Sequence, residues 1–297
     1  MIKELLIISI SIFISFLVSL AGSYSGLFIN ETPIIFNCFL IAYAIQFIVF
    51  IPSYIFSTEK FFDLTGMFTY LIIMVYIFQS RAFEELNYTG FILIILISVW
   101  ALRLGLFLFF RIHKDGNDRR FDELKIDFLK FLRVWTLQGL WVFLTASCAI
   151  TVLCSNLIID NMLFTIIGLF FWISGFTLEV ISDIQKRKFK KNHKEGFITS
   201  GLWSYSRHPN YLGEILLWFG IAIICLPNLN GFQYFSLISP IFVYLLLTRI
   251  SGINLLEEYA DKKWGNLDSY QKYKNDTPIL FPIKPIKKSE KTTQHTI

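Results

Sequence analysis

Residues 201–218 read GLWSYSRHPNYLGEILLW, with Arg207, His208, Asn210 and Glu214 crowded together ahead of an apolar run. Pro209 has a fixed φ and no N–H, which suits the first turn of a helix, and Ser206 just before it can accept from free N–H groups. A helix running from here through Trp218 to Ile224 is apolar enough to be a membrane span. Its N-terminus would present open donors and a partial positive charge beside Arg207, a combination suited to a phosphate. Asn210 and Glu214, four residues apart, share one face about one turn inside the apolar segment. An amide and a carboxylate are costly against lipid, so the spacing predicts that both face a cavity in the protein.

The rest of the chain matches that reading. Its 297 residues are 55% hydrophobic and 16% charged, which argues against a soluble domain. Apolar runs of spanning length recur at 5–27, 33–56, 62–79, 90–110, 132–154, 161–182, 211–228 and 233–250. The expected fold class is therefore all-α: a polytopic membrane helical bundle of about eight transmembrane helices, with seven to nine as the range. Lys and Arg crowd into 111–133, 186–207 and the tail after 249, whereas 155–160 and 229–232 contain none. With eight spans this places both termini on the cytoplasmic side, and it marks the net charge of +5 as a loop bias with no nucleic-acid partner implied. The first run is longer and more evenly apolar than a signal peptide, so it reads as a retained span. No repeat and no Pro- or Gly-rich linker divides the chain, so residues 1–283 read as a single membrane-embedded domain. The polar, Lys-rich residues 284–297 read as a disordered tail. Cys38, Cys148, Cys154 and Cys225 all lie in apolar runs without metal-like spacing, and they read as small buried residues.

Further polar residues interrupt the spans. Glu179, Asp183, Lys186 and Lys190 follow spacings of four, three and four, which lines them along one helical face. Two carboxylates one turn apart repel unless a cation or hydroxyl donors lie between them; ribose hydroxyls would meet that need, and the lysines could hold phosphate. Arg103 lies too deep in its span to snorkel easily, in contrast to Arg111, so a cavity-facing or paired role is expected. Gln138 reads equally as a contact between helices or as a ligand contact. Asp63 reads as the N-cap of the third span. Near the C-terminus, Glu257 and Glu258 head an amphipathic helix followed by Trp264 and Tyr270. These two aromatics would either stack on a ring or form an interfacial belt, with the belt favoured for Tyr270. There is no GxGxxG, so no Rossmann site is suggested.

LWSYSRHPNYLGE resembles the signature of the membrane-embedded steroid 5α-reductase-like superfamily, whose motif is shared by sterol reductases, isoprenylcysteine carboxyl methyltransferases and phospholipid N-methyltransferases. The Asp-Leu-Thr-Gly at 63–66, and the stretch from Trp100 through Arg103 to Asp118, Arg120 and Phe121, resemble its DUF1295 branch. The resemblance covers roughly residues 60–283. It implies a bacterial inner-membrane protein whose cytoplasmic half wraps a soluble cofactor and whose membrane half admits an apolar substrate from the lipid. On that likeness, cofactor contacts fall on Glu179, Asp183, Lys190, Arg207, Asn210, Tyr211, Glu214, Arg249 and Trp264. No metal is implied.

The leading expectation is an NADPH-dependent oxidoreductase that reduces a carbon–carbon double bond in a steroid-like or isoprenoid enone. The cofactor would deliver hydride to the β-carbon while a protein donor stabilises the enolate oxygen. Steroid reductases use a Glu and Tyr pair for the second task, and Phe121 stands near the position of that Tyr. No catalytic acid is therefore identified, and Arg120 and His208 stand as candidates. The alternative is a methyltransferase using S-adenosylmethionine, which would leave the basic stripe without a purpose. A third reading is a lipid-binding membrane protein without catalysis.

Overall fold

The computed structural model describes residues 1–81, 86–115 and 121–282. Arg120, Asp118 and the tail at 284–297 lie outside the described residues. Among the described residues eleven α-helices follow one another: α1 (Ile2–Gly22), α2 (Ile34–Ile55), α3 (Phe62–Ser80), α4 (Tyr88–Asp115), α5 (Phe128–Thr145), α6 (Ser147–Leu153), α7 (Met162–Asn192), α8 (Pro209–Cys225), α9 (Ile238–Leu245), α10 (Ile253–Trp264) and α11 (Asp268–Asp276). A two-residue hairpin, β1 (Phe28–Ile29) with β2 (Thr32–Pro33), turns through Asn30 and Glu31, both at positive φ. Among the described residues, seven helical segments are long and apolar enough to cross a membrane. An eighth is formed if α5 and α6 count as one span. The molecule is thus a nearly all-helical, multi-pass membrane bundle. The expected span at 132–154 differs in being broken: α5 and α6 meet at an angle of 57° around Ala146.

The chain folds into two compact units, one made of Met1–Trp172 with Trp218–Tyr244, the other of Ile173–Leu217 with Leu245 onward. In the first unit the polarity pattern is that of a protein dissolved in lipid. On α1 the buried face carries Ser11, Ser15 and Ser19, whereas Phe13, Leu17 and Leu20 point outward. With no water to compete, these hydroxyls bond within the protein: Ser11 and Ser19 donate to carbonyls of their own helix, and Ser15 Oγ lies 2.9 Å from the Tyr43 hydroxyl of α2. Gln46 of α2 likewise donates to Thr69 of α3 at 2.8 Å. Gln138 proves to be a contact between helices, its Nε2 donating to the Phe62 carbonyl at 2.8 Å. Arg81, buried at the end of α3, donates to the Leu153 carbonyl at 2.9 Å and so closes the C-terminus of α6. Asp63 is not a cap, because α3 begins at Phe62 and Asp63 already sits in its first turn, where its charge complements the helix dipole. Arg103 is half-buried, with its guanidinium 5.2 Å from the centre of the Phe107 ring one turn along α4. All four cysteines are free and buried.

α7 and α8 touch backbone to backbone at glycines. Within the first unit, a Cβ on Gly168 would lie 2.6 Å from the Gly220 carbonyl oxygen. Within the second, one on Gly175 would lie 2.5 Å from the Gly213 oxygen. The two glycines of each helix are seven residues apart, so both fall on the facing side, and only glycine permits this approach.

Candidate functional site

All nine residues expected to contact a cofactor fall in the second unit. The Gly175–Gly213 contact sets their geometry, since a Cβ on Gly213 would also meet the Glu179 backbone nitrogen at 2.6 Å. The α7 stripe is therefore pressed against the N-terminal half of α8, which begins at Pro209 as its sequence predicts. Glu179 is 3% exposed and Asp183 8%, so two carboxylates one turn apart are taken out of solvent. Glu214, Asn210 and Tyr211 are half-buried on α8. Further along α7 the stripe emerges. The Lys186 ammonium lies 4.7 Å from the centre of the Trp203 ring, and Lys190 is exposed.

The turn before α8 is held from three directions. Trp203 donates its indole N–H to the Ser182 carbonyl at 3.1 Å, and the Tyr273 hydroxyl donates to the Trp203 carbonyl at 2.7 Å. Ser206 accepts from the His208 backbone N–H at 3.2 Å, one residue earlier than the helix itself. The Arg207 N–H donates to the Pro278 carbonyl at 2.9 Å, tying the turn to the C-terminal segment.

At the centre of this arrangement stands Glu257 of α10, which the sequence placed only at the head of an amphipathic helix. One of its carboxylate oxygens accepts from Arg207 Nη1; the other lies 2.8 Å from His208 Nε2. Arg207 and His208 are 8% and 5% exposed. Burial holds the His208 imidazole below its usual pKa; the Glu257 hydrogen bond pulls the other way, and the positive charges of Lys186 and Arg207 add to the depression. The ring is thus neutral at pH 7 and donates through Nε2, stacked on Tyr211 at 5.7 Å between ring centres. A neutral, pinned imidazole orients its neighbours better than it delivers a proton. Arg207 spends one nitrogen on Glu257, and its Nε stays buried with no acceptor among the described residues.

Trp264 and Tyr270 are committed to the protein. The Trp264 indole donates to the Glu195 carbonyl at 2.8 Å, and its ring packs on Phe197 and Tyr270. Tyr270 is 3% exposed, and its hydroxyl donates to Asp261 at 3.2 Å. The expected interfacial belt at Tyr270 is therefore corrected to a buried aromatic cluster, formed because Phe197 offers both rings an apolar partner. Arg249 is exposed on a π-helical turn, Leu246–Ile250, and its carbonyl accepts from Asn254 at 3.2 Å. The structure thus gathers Glu179, Asp183, Asn210, Tyr211 and Glu214 around the α7–α8 contact, adds Arg207 through Glu257, and leaves Lys190 and Arg249 as exposed side chains.

A shallow open groove of about 360 Å³ in the same unit is lined by Gln185, Lys188, Phe189, Asn192 and His193 of α7 together with Ile198, Ser200 and Gly201. At about 100° per residue its α7 side chains centre roughly 120° around the helix from the Glu179–Lys190 stripe, so the opening lies to one side of the buried carboxylates.

Sequence reasoning missed Glu257 and the glycine contact. The seven-residue spacing of Gly168 with Gly175 and of Gly213 with Gly220 was a readable signal for the contact. Nothing local marks Glu257, whose partners lie 49 and 50 residues away.

The family model for DUF1295, described as a protein of unknown function, matches residues 49–277. The chain belongs to this family. No curated protein and no solved structure matches it.

Proposed function

We propose that this DUF1295 protein is a membrane oxidoreductase that binds NADPH in its second unit and reduces a carbon–carbon double bond of a lipophilic substrate. The carrying observation is Arg207: held in place by Glu257, it keeps a buried Nε–H that has no acceptor among the described residues. Such a donor suits a phosphate oxygen. The buried carboxylates of Glu179 and Asp183 suit ribose hydroxyls, which only donate to them, and Asn210 and Glu214 extend the same polar surface. The donor set therefore fits the cofactor, whose chemistry when bound is hydride transfer. The chain's own part is to bind and orient: Glu257 fixes Arg207 and His208, and the α7–α8 glycine contact holds the acidic stripe in register. Both termini and the second unit's exposed basic residues are assigned to the cytoplasmic side, where this cofactor is found, on the Lys and Arg bias of the loops. A bacterial inner membrane is the proposed location.

A second reading has its own observation. Lys186 is engaged by Trp203 and Arg207 by Glu257, so less free positive charge faces a ligand than the sequence suggested. That favours a cofactor with one carboxylate and no phosphates, S-adenosylmethionine, and hence a methyltransferase. Calorimetry on detergent-purified protein with NADPH, NADH and S-adenosylmethionine separates the two. NADPH binding that Asp183→Ala or Asn210→Ala abolishes is the expected result; S-adenosylmethionine binding alone overturns the reductase reading.

A further inference from the structure

The groove beside α7 in the second unit has no part in the cofactor contacts. Gln185, Lys188, Phe189, Asn192 and His193 form one wall and Ile198, Ser200 and Gly201 the other, around about 360 Å³. Its chemistry is one-sided. Among the described residues no carboxylate lines it. Glu195, just beyond it in the chain, is turned to Lys263 at 2.6 Å. The Gln185 Oε1 accepts from the Leu202 N–H at 2.9 Å, which fixes the amide and leaves its nitrogen to donate. Phe189 and His193 stack with ring centres 4.8 Å apart and planes 14° from parallel, a flat wall. Lys188 is exposed and brings an ammonium.

α7 has 31 residues and is about 46 Å long, whereas the hydrocarbon core of a bilayer is about 30 Å thick. Roughly 20 residues from Met162 fill that core and end near Ile181, so the turns from Gln185 onward begin at the depth of the lipid head groups. Ahead of the groove the exposed side of α7 is apolar, with Ile173, Ile181 and Ile184 all exposed. Ile181 and Ile184 lie one turn before Gln185 and Lys188 and share their faces. A molecule with apolar chains and an anionic head would meet isoleucines at core depth and, one turn later, a groove of donors without a carboxylate. We propose that this groove binds an anionic phospholipid, its phosphate between Lys188 and the Gln185 amide and an acyl chain against Ile181 and Ile184. A run of surface lysines attracts such lipids loosely; the two walls and the fixed amide make this a site.

Occupation has a structural consequence. Gly201, at φ 65°, lets the far wall close on α7, since a Cβ there would lie 2.6 Å from the Gln185 Oε1. That wall runs straight into Leu202 and Trp203, which hold the turn before α8. A lipid joining α7 to Ile198–Gly201 braces this turn from outside. Its binding is independent of which cofactor the unit takes.

The test uses the full chain purified in detergent and three probes. Dioleoylphosphatidylglycerol and dioleoylphosphatidylcholine share their acyl chains and differ in net charge; glycerol phosphate carries the anion without chains. Native mass spectrometry counts bound lipid, and thermal unfolding reports the bracing. Phosphatidylglycerol is expected to stay bound and to raise the melting temperature, with phosphatidylcholine held about fivefold more weakly. Lys188→Gln removes the charge, and Ser200→Trp fills the groove from the opposite wall. Both positions are exposed, so both variants are expected to melt with the wild type before lipid is added. Each is expected to weaken phosphatidylglycerol binding about fivefold. Arg187→Gln removes the same charge from the far side of α7 and is expected to change binding less than about twofold. Equal losses for Lys188→Gln and Arg187→Gln would reduce the attraction to diffuse surface charge and overturn the proposal. Equal binding of the two lipids would overturn it as well. Displacement of phosphatidylglycerol by a similar concentration of glycerol phosphate would assign the groove to a soluble anion and refute a lipid site.

Discussion

Glu257→Gln changes one oxygen to an amide nitrogen at the junction of Arg207 and His208, and its effect follows from burial. The side chains of Arg207, His208 and Glu257 are 8%, 7% and 18% exposed, so the charge on Arg207 has little water to turn to. Removing one member of a fully buried ion pair costs about 3–5 kcal/mol. Here glutamine still offers Arg207 an amide oxygen, and Glu257 is partly hydrated, which brings the expected loss to roughly 2–3 kcal/mol. The one remaining oxygen cannot serve both partners. If it faces Arg207, the amide N–H₂ confronts His208 Nε2 and forces the other tautomer. The assay is SDS-driven unfolding in mixed micelles without cofactor, followed by tryptophan fluorescence, with Arg207→Met and the double variant completing a cycle. A coupling of about 2 kcal/mol is expected, and high salt should leave it nearly unchanged because buried pairs are poorly screened. A loss below about 0.5 kcal/mol, or additive single variants, would refute the account of Glu257 as the organiser of the site.

The His208 ring adds a pH dependence. Its folded pKa lies below the unfolded value, so the associated stability is fully present above about pH 6.5 and is lost as pH falls through the folded pKa. Melting temperature should drop between pH 7.5 and 5 in the wild type, with a shallower slope in His208→Gln; parallel slopes would remove His208 from the explanation. Gly213→Ala places a Cβ 2.5 Å from the Gly175 oxygen and 2.6 Å from the Glu179 nitrogen, both backbone atoms that cannot swing aside. It should cost about 1–3 kcal/mol and weaken NADPH binding by displacing Glu179, whereas wild-type affinity would show that the helix contact does not set the site. Gln138→Leu removes the bond to the Phe62 carbonyl and should cost only about 0.6–1 kcal/mol in the same unfolding assay, with cofactor affinity unchanged; a large affinity loss would return Gln138 to the ligand contacts.

The architecture was legible because its causes are local. Hydropathy decides whether a segment can cross a bilayer, and Pro209 decides where α8 starts, so spans and that helix boundary could be read from neighbouring residues. The stripe of Glu179, Asp183, Lys186 and Lys190 was likewise a matter of helical period. The break at Ala146 and the role of Asp63 were less accessible. Both depend on where a helix stops relative to its neighbours, and the apolar run through 132–154 carries no proline or glycine at the bend. The partners of the polar groups lay further out of reach. Arg207 looked like an open anion contact until Glu257, 50 residues on, folded back to meet it; Tyr270 looked interfacial until Phe197 enclosed it. By itself the sequence determined which segments can cross a membrane and which of their faces are polar, since backbone hydrogen bonding and transfer from water act residue by residue. The tertiary structure alone decided which charges neutralise one another and which donors stay unspent, because in a low-dielectric interior that depends on distances set by the whole packing.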